Sequence, residues 1–285
     1  MQLKYDVYTP NIINKRLAPI VLLHSLCESR KTWLHIAPEL VRRTARTVYA
    51  IDLRNHGDSP WSDEYTIDAL TSDLDEFLLE HQLPTIILIG HSLGGKVAIQ
   101  LALQKPEKVE QLIIEDSTPR NFISGGGRYI SVLLNIAKEI QKIMPKGVDR
   151  KTADDFLYDL ALQFLTELRL SEETVRSYDL NLLPLEWNGD TYVIKMNIDV
   201  LVDAILNDKL QQNPTGTYEG EVLLLYGGKS HFKVASDPLF LEYFPHMKKI
   251  EFENTGHFLH HDYPKQFIQE VVHFISHGTP KPAKY

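Results

Sequence analysis

The 285-residue sequence contains a single cysteine, Cys27. An intrachain disulfide is therefore excluded, and a reducing, intracellular setting is the natural expectation. Long apolar runs are missing too. Runs such as Thr85–Ile89 and Val222–Leu225 fall far short of the roughly 20 residues a membrane-spanning helix needs. Positive charge is in deficit, with 30 Lys and Arg against 38 Asp and Glu and a formal net charge of −8. That balance argues against a surface built to hold nucleic-acid phosphates. Met1–Arg16 has no positively charged start followed by an apolar stretch, so it does not read as a signal peptide. Nor is it an Arg/Ser-rich transit peptide. Repeats at a period of about 20–50 residues and low-complexity tracts are absent.

What is present is ordinary for a globular chain: 43% hydrophobic and 24% charged residues. At about 150 residues per domain, one or two domains are expected. A chain of this length can bury a sizeable core without staples. Six short runs read as buried parallel strands: Pro19–Leu23, Thr47–Ile51, Thr85–Ile89, Gln111–Ile114, Val222–Tyr226 and Lys249–Phe252. Between them lie helical stripes, namely Trp33/Ile36/Leu40, Ile67/Leu70/Leu74/Phe77, Val97/Ala98/Leu101/Ala102 and Phe267/Ile268/Val271/Val272. Alternation of this kind predicts an α/β fold, a mostly parallel central sheet with helices on both faces.

The stretch from about Pro119 to Gly220 breaks the rhythm. It carries the stripes Ile130/Leu133/Ile136/Ile140 and Phe156/Leu157/Leu160/Phe164, and a tight turn is expected at Asn188-Gly189 between Leu185–Trp187 and Thr191–Ile194. The predicted organisation is a core of residues 1–118 and 221–285, with a mostly helical cap over 119–220. A cap inserted after the strand ending at Asp116 lies where α/β sheets bind ligands, so it is placed to act as a lid. The tail after Gly278 is expected to fray.

Three places carry chemistry. In Gly90-His91-Ser92-Leu93-Gly94, a strand leads into the helix expected over Gly95–Leu103. This is the context of a G-x-S-x-G nucleophile elbow. The turn is so tight that side chains two residues before and after the serine would clash, which explains Gly90 and Gly94. Ser92 then sits exposed at a helix N-terminus, where developing negative charge is favoured. A phosphate loop is the rival, since Gly90 to Lys96 matches most of G-x-x-x-x-G-K-[ST]. Val97 stands where the magnesium-binding hydroxyl should be.

A tetrahedral oxyanion needs two converging N–H donors. Leu93 follows the nucleophile and supplies one; Leu26, in the loop after Pro19–Leu23, is the candidate for the other. Cys27 beside it lies on no activating motif of its own. The base is expected from Asn254-Thr255-Gly256-His257-Phe258, where Gly256 precedes His257 and the final helix follows. A zinc site through His257, His260 and His261 is the alternative, without an H-E-x-x-H motif to support it. For the acid, Asp116 is favoured because strand Gln111–Ile114 runs straight into Glu115-Asp116. Asp237 and Glu115 remain open alternatives, and the loop Gly227-Gly228-Lys229-Ser230-His231 holds no acid.

Taken together, Gly90–Lys96, Asp52-Leu53-Arg54-Asn55-His56-Gly57-Asp58-Ser59 and Thr255-Gly256-His257 resemble the α/β-hydrolase superfamily. Arg54–Gly57, Ser230 where other members carry the acid, and Asp116 after the preceding strand resemble one branch within it. That branch holds the mitochondrial α/β-hydrolase-domain esterases and the yeast ethanol acetyltransferases. Ser25 departs from the usual His-Gly of the oxyanion loop. The resemblance implies a triad of Ser92, Asp116 and His257 acting on short acyl esters or acyl-CoA thioesters, with alcohols as acyl acceptors in the yeast members. It implies mitochondria, or the cytoplasm if no presequence was removed. The expected activity is a serine ester or thioester hydrolase working through an acyl-enzyme. The alternatives are an alcohol acetyltransferase, or a non-catalytic receptor on the same fold. Haloalkane dehalogenase and epoxide hydrolase chemistry need Asp at the elbow and are disfavoured. No metal or organic cofactor is required. The expected partners are an ester, acyl-CoA or alcohol substrate, for a monomer or small homo-oligomer.

Overall fold

The six apolar runs become the heart of a seven-stranded sheet in the computed structural model, which describes residues 1–120, 126–167, 185–212 and 214–278. The strands of this sheet are β1 (Tyr5–Tyr8), β2 (Ile20–Leu23), β3 (Val48–Ile51), β4 (Ile86–His91), β5 (Val109–Glu115), β8 (Glu221–Gly227) and β9 (Met247–Phe252). Two short strands, β6 (Leu185–Trp187) and β7 (Tyr192–Ile194), pair antiparallel in a separate ribbon. The order across the main sheet is β1-β3-β2-β4-β5-β8-β9. Every pairing is parallel except that of β1 with β3.

Strand β1 has no counterpart among the predicted strands. It is an edge strand whose residues alternate between exposed and half-buried, so it forms no apolar run. By contrast β2 and β4 are buried at every residue, as strands covered on both faces must be.

The helices are α1 (Ala37–Thr44), α2 (Ile67–Glu80), α3 (Leu93–Gln104), α4 (Gly126–Ile143), α5 (Arg150–Glu167), α6 (Ile198–Leu206), α7 (Leu239–Tyr243), α8 (Leu259–Asp262) and α9 (Pro264–His277). Among the described residues, no helix is long and apolar enough to cross a membrane. One apolar layer joins Leu74, Leu101 and Leu201 to Val21, Leu88 and Leu112 of the sheet. A second joins Leu40, Phe267 and Val271 to Ile20, Ile87 and Ile113 on the opposite face. Fully burying one such side chain stabilises the fold by about 1.5–3 kcal/mol, so the two layers dominate the energetics.

Helices α4 to α6 and the ribbon β6–β7 lie in the chain between β5 and β8. Helix α4 packs on α6 and β7, and α6 contributes Leu201 and Ala204 to the first core layer. Among the described residues of the segment, Met144, Ala153, Leu157 and Tyr192 form a separate small cluster. The α5 stripe differs from expectation, because Phe156 is 37% exposed while Ala153 and Leu157 are buried. The side chains of Leu133, Ile136, Ile140 and Phe164 lie outside the described residues, as does the tail after Gly278. The ribbon forms where expected, but its loop spans Asn188–Thr191 and is longer than a two-residue turn. The Asn188 side chain accepts the N–H groups of Asp190 and Thr191 at 3.0 and 2.9 Å, supplying the turn locally.

Candidate active site

The bend between β4 and α3 is as tight as the sequence requires. Ser92 has φ 51° and ψ −109°, a left-handed conformation that a non-glycine residue adopts only under constraint. A Cβ on Gly90 would lie 2.3 Å from the Gly94 carbonyl oxygen, and one on Gly94 would lie 2.5 Å from the Leu23 oxygen. Helix α3 begins at Leu93, two residues earlier than predicted. Gly94 and Gly95 disguise its first turn, and close packing demands both. A Cβ on Gly95 would meet that of Ser117 at 2.5 Å. The Ser92 backbone is pinned from both sides. Its N–H donates to Glu115 O at 3.0 Å, and its carbonyl accepts the Ser117 hydroxyl at 2.6 Å.

Asp116 leaves the end of β5 with φ 40°, another left-handed residue. Its buried carboxylate accepts Gly227 N–H at 3.2 Å on Oδ1, and the Ser230 hydroxyl at 2.6 Å on Oδ2. The same Oδ2 lies 2.6 Å from His257 Nδ1. A carboxylate only accepts, so Nδ1 carries the proton and Nε2 is left with a lone pair. The His257 loop is held by backbone contacts with the end of β8. Lys229 N–H donates to Thr255 O at 3.0 Å, and a Cβ on Gly227 would meet the Gly256 oxygen at 1.8 Å. Burial pushes the His257 pKa down and the Asp116 hydrogen bond opposes that shift; the net direction is downward. The Phe232 and Phe258 rings pack on the imidazole with centroids at 4.5 and 5.2 Å.

The loop after β2 meets the elbow directly. Gly94 N–H donates to His24 O at 3.2 Å, placing the Ser25–Cys27 segment beside the start of α3. Leu26 is buried there, and its carbonyl accepts a hydrogen bond from His56 Nε2 at 2.6 Å. Leu93 is the first residue of α3, so its N–H has no partner within the helix. Arg54 forms a two-pronged pair with Asp73 at 2.5 and 2.8 Å, which anchors the Arg54–Gly57 loop.

The rival assignments are occupied elsewhere. Lys96 is buried and its ammonium donates to the carbonyls of Thr118, at 3.0 Å, and Arg120, so it is not presented to a phosphate. Burial lowers its pKa to about 7. Asp237 binds the Thr118 hydroxyl, Arg120 Nε at 2.9 Å and Leu239 N–H at 3.0 Å. Glu115 takes the N–H and Nδ1 of His260 at 3.0 and 2.8 Å. Cys27 is a free, exposed thiol. The histidines considered for zinc separate, since His260 and His261 group with Glu28 while His257 does not. The Thr32 hydroxyl stands among those three, 2.9 Å from Glu28 Oε1, 2.8 Å from His260 Nε2 and 2.9 Å from His261 Nε2.

Sequence reasoning missed the hydrogen-bond roles of Glu28, His56, His91 and Ser230 around this site. His56 and Ser230 lie within quoted motifs, and His91 is the variable residue of the elbow. Glu28 carries no local signal.

The chain belongs to the alpha/beta hydrolase fold family, whose model matches residues 18–264. Among its relatives is the sn-1-specific diacylglycerol lipase ABHD11 of Mus musculus, 33% identical over 91% of this chain and 81% of the relative. The probable alcohol acetyltransferase of Saccharomyces cerevisiae is 25% identical over 96% of this chain and 83% of that protein. A solved marine microorganism esterase superposes with a TM-score of 0.75 at 28% identity, covering 96% of this chain and 99% of that one. The esterase and yeast acetyltransferase branch expected from the motifs is therefore the neighbourhood in which the chain falls.

Proposed function

We propose that the protein is a serine-dependent acyl-ester and thioester hydrolase that works through an acyl-enzyme on short-chain substrates. The contact that carries this reading is His257 Nδ1 to Asp116 Oδ2 at 2.6 Å, at the same sheet edge as the strained Ser92 bend. Asp116 holds the imidazole in the tautomer whose Nε2 can accept a proton. His257 takes the Ser92 proton and Ser92 Oγ attacks the acyl carbonyl. The N–H groups of Leu26 and Leu93 receive the oxyanion, and His257 then protonates the leaving alkoxide or thiolate. Water attacks the acyl-enzyme in the second half, with His257 again as base. Losing one oxyanion donor typically costs about 10²–10³-fold in rate.

An alcohol in place of water would turn the same residues into an acyltransferase. The yeast and Wickerhamomyces anomalus relatives named as alcohol and ethanol acetyltransferases favour that second reading. Residues 119–220 are the cap that covers the acyl chain, set on a core of 1–118 and 221–285. The enzyme acts on small-molecule esters, acyl-CoA or alcohols as a monomer or small homo-oligomer, and its location is mitochondrial, which cell fractionation tests.

A fluorophosphonate probe should label Ser92 in the wild-type protein and not in Ser92→Ala. Product analysis with an acetyl ester or acetyl-CoA, with and without ethanol, then separates hydrolysis from transfer. Folded protein that neither labels nor turns over any ester would mark a receptor and overturn the reading.

A further inference from the structure

Beneath the site lies a buried group of ionisable residues that the proposed chemistry does not use. Glu28, His91, Glu115 and His260 are each no more than 3% exposed. Glu28 Oε2 accepts Ser25 N–H at 3.1 Å and faces His91 Nδ1 at 3.1 Å. The other nitrogen of that ring, Nε2, lies 2.9 Å from the carbonyl oxygen of His257. One continuous path thus runs from the oxyanion loop through Glu28 and His91 to the backbone of the base.

We infer that Glu28 and His91 are a positioning pair, a buried carboxylate and imidazolium that lock the oxyanion loop to the His257 loop and place a positive charge beside the base. The inference rests on the serine-hydrolase reading above. Its first support is donor arithmetic. A carboxylate oxygen and a peptide carbonyl only accept, so His91 makes both contacts as hydrogen bonds only when it carries two N–H groups and a charge. His56 provides the internal control. Its two ring nitrogens also lie near carbonyls, but burial lowers its pKa to about 4, so at neutral pH it is uncharged and donates to only one of them. His91 is buried as deeply, which disfavours its charge, yet Glu115 and Glu28 outweigh that and push its pKa up to about 9. Burial equally opposes the charge on Glu28, but His91, His261 and His260 hold its carboxyl well below the usual range.

The groups facing His91 are Glu28 from the oxyanion loop, Glu115 and Asp116 from the end of β5, His257 and His260 from the final loop and α8, and His24 from the end of β2. The His91 and His257 rings are 4.7 Å apart. A cation at that distance disfavours a second positive charge on His257 and keeps it a neutral, proton-accepting base.

Two measurements test this. In wild-type protein, side-chain ¹⁵N NMR should find both His91 nitrogens protonated at neutral pH. A neutral His91 overturns the pair without reference to any variant. Second, kcat and KM are followed against pH for wild type, His91→Gln, Glu28→Gln and the double variant, each normalised to sites titrated with a fluorophosphonate so that misfolded protein does not count. We expect His91→Gln to lower kcat about 10–100-fold with little change in KM. Its acid limb should move to higher pH, because the cation that restrained His257 is gone. The double variant should be no worse than the worse single one. Titrated sites that keep the wild-type limb and kcat in both single variants overturn the positioning role. Wild-type protein that no probe acylates would instead overturn the serine-hydrolase reading on which the pair depends.

Discussion

Strand β4 is buried at all six of its residues, whereas the ribbon β6–β7 has one buried residue, Tyr192. The contrast extends to the layers behind them. The sheet is clamped between two broad apolar layers, while among the described residues α5 and the ribbon share a small cluster of four buried side chains. Ser92, Asp116 and His257 follow β4, β5 and β9 of the sheet, and none comes from the stretch between β5 and β8 that holds α4 to α6. Left-handed backbone at Ser92 and Asp116 costs about 1–3 kcal/mol each, a cost only a rigid frame can sustain.

The sharpest test is to disable the rigid part without disturbing its packing. Ser92→Ala and His257→Ala should each abolish ester turnover to a similar degree, by about 10⁴-fold or more, because the members of the proposed triad would act as a unit. Steady-state kinetics reads this directly, and a large residual rate in either variant would remove the pair from the chemistry. Asp116→Asn should cost about 10⁴-fold in kcat while the fold stays intact. Asp237→Asn, whose carboxylate serves Thr118, Arg120 and Leu239, should cost far less; the reverse ranking would relocate the acid.

On the other side of the comparison, Leu157→Ala removes a side chain of the small cluster, at a local cost of about 2–5 kcal/mol. Hydrogen exchange should rise in α5 and β7 while the amides of β4 and β5 stay protected. Equal loss of protection in both would mean that sheet and insertion unfold as one unit. The smallest effect concerns pH. His257 must be neutral to take a proton, and its pKa lies below the ordinary 6.5, so the acid limb of kcat/KM should have its midpoint below 6.5. A limb above that value would mean the charges around the imidazole have been misjudged.

Five of the seven strands, β2 to β5 and β8, lie inside the sheet and leave apolar runs such as Ile86–Ile89, whereas β9, the other edge strand, was read from Lys249–Phe252 but is not the buried strand expected, with one buried residue, Phe252. Strand β1 was not readable, because at an edge only alternate residues turn inward. The bend at Ser92 was legible from Gly90 and Gly94, each excluded from carrying a side chain by backbone atoms within 2.5 Å. The tight ribbon after α5 was legible as a turn, though Asn188 lengthened it. What could not be read was the layer beneath the site. Glu28 and His91 are 63 positions apart, and His91 reaches a carbonyl a further 166 away. Contacts of this kind leave no periodicity and follow from the fold rather than from any local pattern.

The hydroxyl of Ser230 and the ring of His257 share one oxygen of Asp116, each at 2.6 Å. A carboxylate grown from position 230 would therefore arrive beside the one already there. Two such groups so close cannot both stay ionised, and one would have to hold a proton. The scaffold offers two neighbouring seats for a single negative charge. A lineage that moves the acid from one strand to the next must empty the first seat as it fills the second, and Asp116→Asn combined with Ser230→Asp retraces that step in the laboratory.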